Sequence, residues 1–192
     1  MTLDQWLSDA EKQLAQTRAR DFDPLMERAI AATATALRAN LPLLVCGNGG
    51  SAADAQHIVG EMVGRFLRNR RALNAICLGS NPAVMTAWSN DHDFETVFAR
   101  EVEAYGQPGG VLLALSTSGN SRNVVRALEA AHERGMITIG LTGQGGGAMA
   151  GLCDNLFDVP SADTPAIQQV HVCLYHYFCA SVEEAVTGSG QQ

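Results

Sequence analysis

Apolar positions along the chain follow two alternating rhythms. Short apolar-rich runs occur at Leu43–Cys46, Leu73–Leu78, Val111–Leu115, Met136–Leu141 and Asn155–Val159. Runs of this length, flanked by glycine and serine, read as strands buried in a parallel sheet. Between them, apolar residues recur three or four apart, the spacing of helices with one inward face. This spacing predicts helices over about 51–65, 82–89, 94–105, 123–134 and 166–186. In the third of these, Phe94, Val97, Phe98 and Val102 are expected to point inward. Two more helical segments precede the first strand. Trp6, Leu7, Ala10, Leu14 and Ala15 form one apolar face. Pro24 starts a second helix with Leu25, Ile30, Ala34 and Leu37 inside. These helices either cover the sheet or pack on a partner subunit.

The alternation predicts an α/β fold: a three-layer αβα sandwich around a five-stranded parallel sheet, with N-terminal helices added. No repeat or linker divides it. The expectation is one domain over 1–192, with a helical segment at 1–40, the α/β core at 41–186 and a frayed tail at 187–192. The 46% apolar content suits such a core. A net charge of −7 argues against a nucleic-acid-binding face. It leaves room for a small anion held by backbone amides. The cysteines (Cys46, Cys77, Cys153, Cys173, Cys179) are odd in number and form no Cys-x-x-Cys, so they read as reduced core residues of a cytosolic protein. No leader and no bilayer-spanning run is expected. Lys12 is the one lysine.

Two loops at strand ends attract attention, because ligands of open α/β sheets bind there. The first is Gly47-Asn48-Gly49-Gly50, with Ser51 as N-cap or first turn of the next helix. Glycines admit a sharp turn and a close ligand, and a helix start favours an anion. Gly47-x-Gly49-x-x-Ala52 loosely matches a dinucleotide fingerprint. The second strand ends Cys77-Leu78-Gly79-Ser80 without the acid that ribose binding requires, and no Walker lysine follows. The second loop carries Ser116, Thr117, Ser118 and Ser121. One hydroxyl suffices for a helix cap, whereas four suit a phosphate. His57 and Glu61, four apart, share a helix face. Gln168, His171 and His176 stand in an otherwise apolar final helix, where each His is either a satisfied core residue or a functional group. His, Glu and His together suit zinc or a similar divalent metal. The arginine-rich Arg65–Arg71 reads as a solvated loop or as a source of an arginine that reaches phosphate across an interface.

The segments Gly47–His57, Glu61, Gly64-Arg65-Phe66, Asn90-Asp91, Ser116–Ser121, and Gln168 with His176 resemble the phosphoheptose isomerase family, within the sugar isomerase (SIS) domain group. The resemblance covers nearly the whole chain. It implies conversion of sedoheptulose 7-phosphate to D-glycero-D-manno-heptose 7-phosphate, which begins the heptose route to bacterial lipopolysaccharide core, in a cytoplasmic homotetramer. It further implies substrate contacts at Asn48, Gly49, Gly50, Ser51, Glu61, Asn90, Asp91 and Gln168, and phosphate contacts at Ser116, Thr117, Ser118 and Ser121. One zinc per subunit is implied at His57, Glu61, Gln168 and His176, with Glu61 and His176 as the acid/base pair. The same fold serves a non-catalytic, DnaA-binding relative, which looks altered at the Glu61 and His176 positions. The family's final motif often reads Arg-Ile-Gln-Glu, where this chain has Ala166-Ile167-Gln168-Gln169.

Isomerisation through an enediolate needs a base at the carbon beside the carbonyl and an acid at oxygen. Glu61 is the candidate base and His176 the candidate acid. A lysine Schiff base is not expected, because Lys12 is far from either loop in sequence. Gln168 and His176 are eight residues apart, about 12 Å along a continuous helix, while zinc bonds span about 2 Å. That spacing leads to the expectation of an irregular helix start or a ligand from another subunit.

Overall fold

The computed structural model describes residues 1–188. Helices α1 (Leu3–Arg18) and α2 (Asp23–Arg38) lead into β1 (Leu43–Cys46) and α3 (Gly50–Val63). Then follow β2 (Ala75–Cys77), α4 (Pro82–Asp91), α5 (Val97–Tyr105), β3 (Val111–Ser116), α6 (Arg122–Glu133), β4 (Ile137–Thr142), β5 (Asn155–Asp158) and α7 (Thr164–Thr187). All strands are parallel, in the order β2-β1-β3-β4-β5. The predicted five-stranded αβα sandwich is the observed fold. The tail expected to fray lies, over 189–192, outside the described residues.

Strand periodicity divides the core. Leu43 and Val45 of β1 pack on one face with Met26, Ile58 and Phe178, from α2, α3 and α7. Leu44 and Cys46 pack on the other with Phe98, Val102 and Leu128, from α5 and α6. All four β1 side chains are fully buried, and each large one contributes about 1.5–3 kcal/mol by leaving water. Burial also pushes the thiols of Cys77 to about 11 and of Cys153 and Cys179 to about 12, which keeps them protonated. Cys173, expected in the core, is exposed, because it falls on the outer side of α7.

Local expectations change in several places. Phe94 is 51% exposed. Residues Phe94–Thr96 form a 3₁₀ turn capped by Asp93, which accepts the Thr96 N–H at 2.7 Å and rotates Phe94 out of the helical register. The apolar face of α1 does not cover the sheet: Leu7 is 54% and Leu14 43% exposed, and the helix buries only Gln13 and Thr17. Covering falls to α2, which buries Met26, Ala29, Ala34, Ala36 and Leu37.

The arginine-rich stretch is not simply solvated either. Arg70 Nε lies 3.1 Å from Glu183 Oε1 of α7, with both side chains at most 3% exposed. Arg70 also donates to the carbonyls of Glu61, Met62 and Gly64 at the end of α3. Glu183 accepts the backbone N–H groups of Phe66, Leu67 and Arg68. Burial pushes the Glu183 carboxyl up, but those donors and Arg70 outweigh it and hold the carboxyl below its ordinary range.

Helix α7 is regular from Thr164, with Asp163 as N-cap and Pro165 in the first turn. The expected irregularity near Gln168 is therefore absent, because the cap and the proline start the helix four residues earlier. His171 is one of the core histidines: it is fully buried, with Nε2 3.1 Å from the Thr142 carbonyl of β4. Burial pushes its imidazole down from 6.5 to about 4. Between these values the unfolded chain binds a proton that the folded chain refuses, so stability falls as pH drops from 6.5 toward 4. Urea unfolding of wild type should therefore lose up to about 3 kcal/mol between pH 7.5 and 4 through this group, and His171→Gln should remove that part of the pH dependence.

Candidate functional site

The strand order reverses direction between β1 and β3, so the crevice between their carboxyl ends is the topological switch point of the sheet. The register Cys46↔Ala114 brings the two predicted loops level there. Gly49, at φ 56°, is the N-cap of α3, and the helix begins at Gly50 rather than at Ser51. Ser51 is buried at 4% exposure and gives its N–H to the Asn48 carbonyl. A Cβ on Gly50 would lie 2.6 Å from Gln168 Nε2, so the absence of a side chain there lets α7 reach the loop.

The second loop gathers its hydroxyls. Ser116 Oγ lies 2.9 Å from Ser121 Oγ and 3.5 Å from Ser118 Oγ. Ser121 is the N-cap residue of α6, yet its side chain makes no capping hydrogen bond. Its hydroxyl is thus turned toward the other serines and away from the helix. The α6 N-terminus and these hydroxyls are groups of the kind that suit an anion without a lysine. Gly119 is left-handed at φ 65°, and a Cβ there would collide with the Gly146 carbonyl. Asn90 and Asp91 end α4 and are exposed; among the described residues their side chains hydrogen-bond only to each other, at 2.9 Å.

Helices α3 and α7 bring the remaining candidates together. His57 Nε2 is 3.0 Å from Glu61 Oε1, with side chains 46% and 19% exposed. The imidazoles of His57 and His176 meet edge to face at 5.1 Å between centroids. Phe66 stacks on the far side of His176 at 5.5 Å. Ala166 and Gln169 line a groove of about 460 Å³ facing Trp6 and Gln13 of α1.

The sequence reading missed two members of this group. Tyr175 donates to Asp54 Oδ1 at 3.3 Å and stands 3.0 Å from His57 Nδ1. Asp54 precedes His57 by three positions on α3, a spacing that places both on one face. Tyr175 offered no signal beyond an aromatic ring among apolar neighbours. Burial pushes the Asp54 carboxyl above its ordinary range, partly offset by the Tyr175 hydroxyl.

These contacts bear on a metal. Asp54, Tyr175, His57 and Glu61 make three polar contacts in series. Neutral tyrosine and neutral imidazole bring two protons. Three contacts need three protons, so one of them takes a further proton or a cation, and the tautomer of His57 decides which. Two imidazoles and a carboxylate are the donor types zinc prefers. Among the described residues, no group of three or more His, Cys, Asp or Glu side chains stands at metal-holding spacing. The donor set thus fits a divalent ion by chemistry, while closing around one requires side-chain movement or a further donor.

Known proteins share sequence and fold with this chain. The SIS domain profile matches residues 5–143. The phosphoheptose isomerase of Crocosphaera subtropica is 49% identical over 178 residues, covering 93% of this chain and 91% of that protein. The phosphoheptose isomerase structure from Neisseria gonorrhoeae superposes with a TM-score of 0.88 at 36% identity, over 95% of this chain and 97% of that one. The one from Francisella tularensis gives 0.90 at 32% identity, over 96% and 100%.

Because Ser121 caps nothing with its side chain, Ser121→Ala should cost less than about 1 kcal/mol of unfolding free energy. The same variant should weaken inorganic phosphate binding about tenfold, the worth of one hydrogen bond to a charged group. Calorimetric titration beside urea unfolding checks both.

Proposed function

The chain belongs to the phosphoheptose isomerase family of SIS-domain proteins, and on that premise we propose that it interconverts sedoheptulose 7-phosphate and D-glycero-D-manno-heptose 7-phosphate. The observation that carries the reading is the meeting of His57, Glu61 and His176 across α3 and α7, in a chain whose sheet crevice ends in a serine-rich loop suited to an anion. A non-catalytic binding module leaves that meeting without a use.

In this reading Ser116, Thr117, Ser118, Ser121 and the α6 amides hold the phosphate. Asn48, Gly49 and Gly50 face the sugar chain, with Ser51 closing their turn and Asn90 and Asp91 completing the sugar site. Glu61 removes a proton from carbon 1 of the ketose, and His176 gives one to the oxygen on carbon 2. The resulting enediol loses its carbon-1 hydroxyl proton as the new carbonyl forms, and carbon 2 receives the proton that completes the aldose. Phe66 stacks on His176 and limits its rotation. His57, Glu61, Gln168 and His176 are the residues that would hold a zinc ion, which when bound would supply Lewis-acid stabilisation of negative charge on oxygen. Gln168 and His176 remain about 12 Å apart along regular α7, which supports a site completed by a neighbouring subunit.

The exposed apolar face of α1, with Leu3, Leu7 and Leu14, supports assembly, here read as a homotetramer. No helix of the described residues is long and apolar enough to cross a membrane; the reading places the enzyme in the cytoplasm, at the start of heptose supply for lipopolysaccharide core.

Purified protein should turn over sedoheptulose 7-phosphate, and turnover should rise on adding zinc to metal-stripped protein. Absence of turnover in both states would sink the reading. Glu61→Gln should lower turnover at least about a hundredfold, within the range general-base catalysis contributes, while binding of the sugar phosphate largely survives.

A further inference from the structure

The two ligand loops are joined by a contact that neither helix cap requires. Asn48 Nδ2 donates to Asn123 Oδ1 at 2.8 Å, and Asn123 Nδ2 donates to Asn48 Oδ1 at 2.9 Å. Asn123 is 3% exposed, in the first turn of α6, two residues beyond Ser121. Asn48 is half-buried in the loop that starts α3. The pair therefore spans the crevice between β1 and β3. Burying a carboxamide is costly unless it is paired. The reciprocal bond uses one donor and one acceptor of each amide, leaving a spare N–H and lone pair on Asn48, the more exposed of the two.

We propose that Asn123 is a positioning residue that sets which length of sugar phosphate the site accepts; the proposal rests on the sugar-phosphate reading above. Serine hydroxyls and helix amides hold a phosphate without regard to what it is attached to. Length is measured only if the far end of the substrate meets a second element at a fixed span from the phosphate. The loop that begins α3 is that element, because the Asn48 carbonyl accepts the Ser51 N–H at 3.0 Å and Glu61 lies further along the same helix. The Asn48–Asn123 bridge ties the start of α3 to the start of α6, next to the serines. Without it the span loosens, and a displacement of about 1 Å is enough to cost a hundredfold in reaction rate.

The test is calorimetric binding of inorganic phosphate and of ketose phosphates with five, six and seven carbons to wild type, Asn123→Ala, Asn48→Ala and the double variant. For Asn123→Ala, phosphate affinity should stay within about twofold, while sedoheptulose 7-phosphate affinity falls about tenfold, the scale of one or two lost hydrogen bonds. Its preference among the three chain lengths should flatten. The double variant should bind sedoheptulose 7-phosphate no more weakly than Asn48→Ala alone, since the two residues act as one unit. Equal losses for phosphate and all three sugars would overturn the proposal, as would an unchanged length preference or additive losses in the double variant. If wild type prefers another length, the seven-carbon substrate assignment falls, while flattening by Asn123→Ala still supports the bridge.

Discussion

The site depends on holding the end of α3 against α7, and one buried carboxylate does this. Glu183 gathers three backbone N–H groups of the loop after α3 and pairs with Arg70, whose guanidinium turns back onto the carbonyls of Glu61, Met62 and Gly64. A helix C-terminus leaves carbonyls without partners, and here a cation satisfies them. A buried charge is costly alone and tolerable when its remaining lone pairs are used. Here the carboxylate accepts three backbone N–H groups and is ion-paired with Arg70 at 3.1 Å. The consequence is functional: Glu61 and His176, 115 positions apart in the chain by 176 minus 61, are carried by helices clamped a few residues from each.

A second constraint is the sheet itself. Because β1 and β3 are neighbours in level register, a glycine loop and a serine loop open into one crevice. Every side chain of both strands is buried, and a slip by one residue would exchange the side chains packed on the two faces of the core. The amide bridge between Asn48 and Asn123 then sets the finer distance between the loops. Sheet order supplies the crevice, and side chains adjust its width.

Much of this was legible in the sequence. The strands of the parallel sheet are apolar enough to be found, and β1 begins and ends where its apolar run does. The serine loop stood out because it holds more hydroxyls than a cap uses. Phe94 was misplaced and the role of the α1 face was left open, for different reasons. A capping aspartate beats helical spacing over one turn in the first case. In the second, apolar periodicity shows that a face is to be covered without saying by what. Arg70, Asp54, Tyr175 and Asn123 were not legible as partners. Each acts through a contact between elements distant in sequence or through a neighbour on its own helix, and a single chain of letters carries no signal for such pairings.

In the proposed reaction a base on α3 and an acid on α7 move a proton between adjacent carbons of a sugar phosphate. The most direct test is to run the reaction on sedoheptulose 7-phosphate in D₂O and read the product by NMR. The Glu61 and His57 side chains are partly open to solvent, so a proton held there exchanges before it returns to carbon. Deuterium should appear at carbon 2 of the aldose. Aldose formed with hydrogen alone at carbon 2, carried across from carbon 1 without exchange, would contradict the proposed reaction.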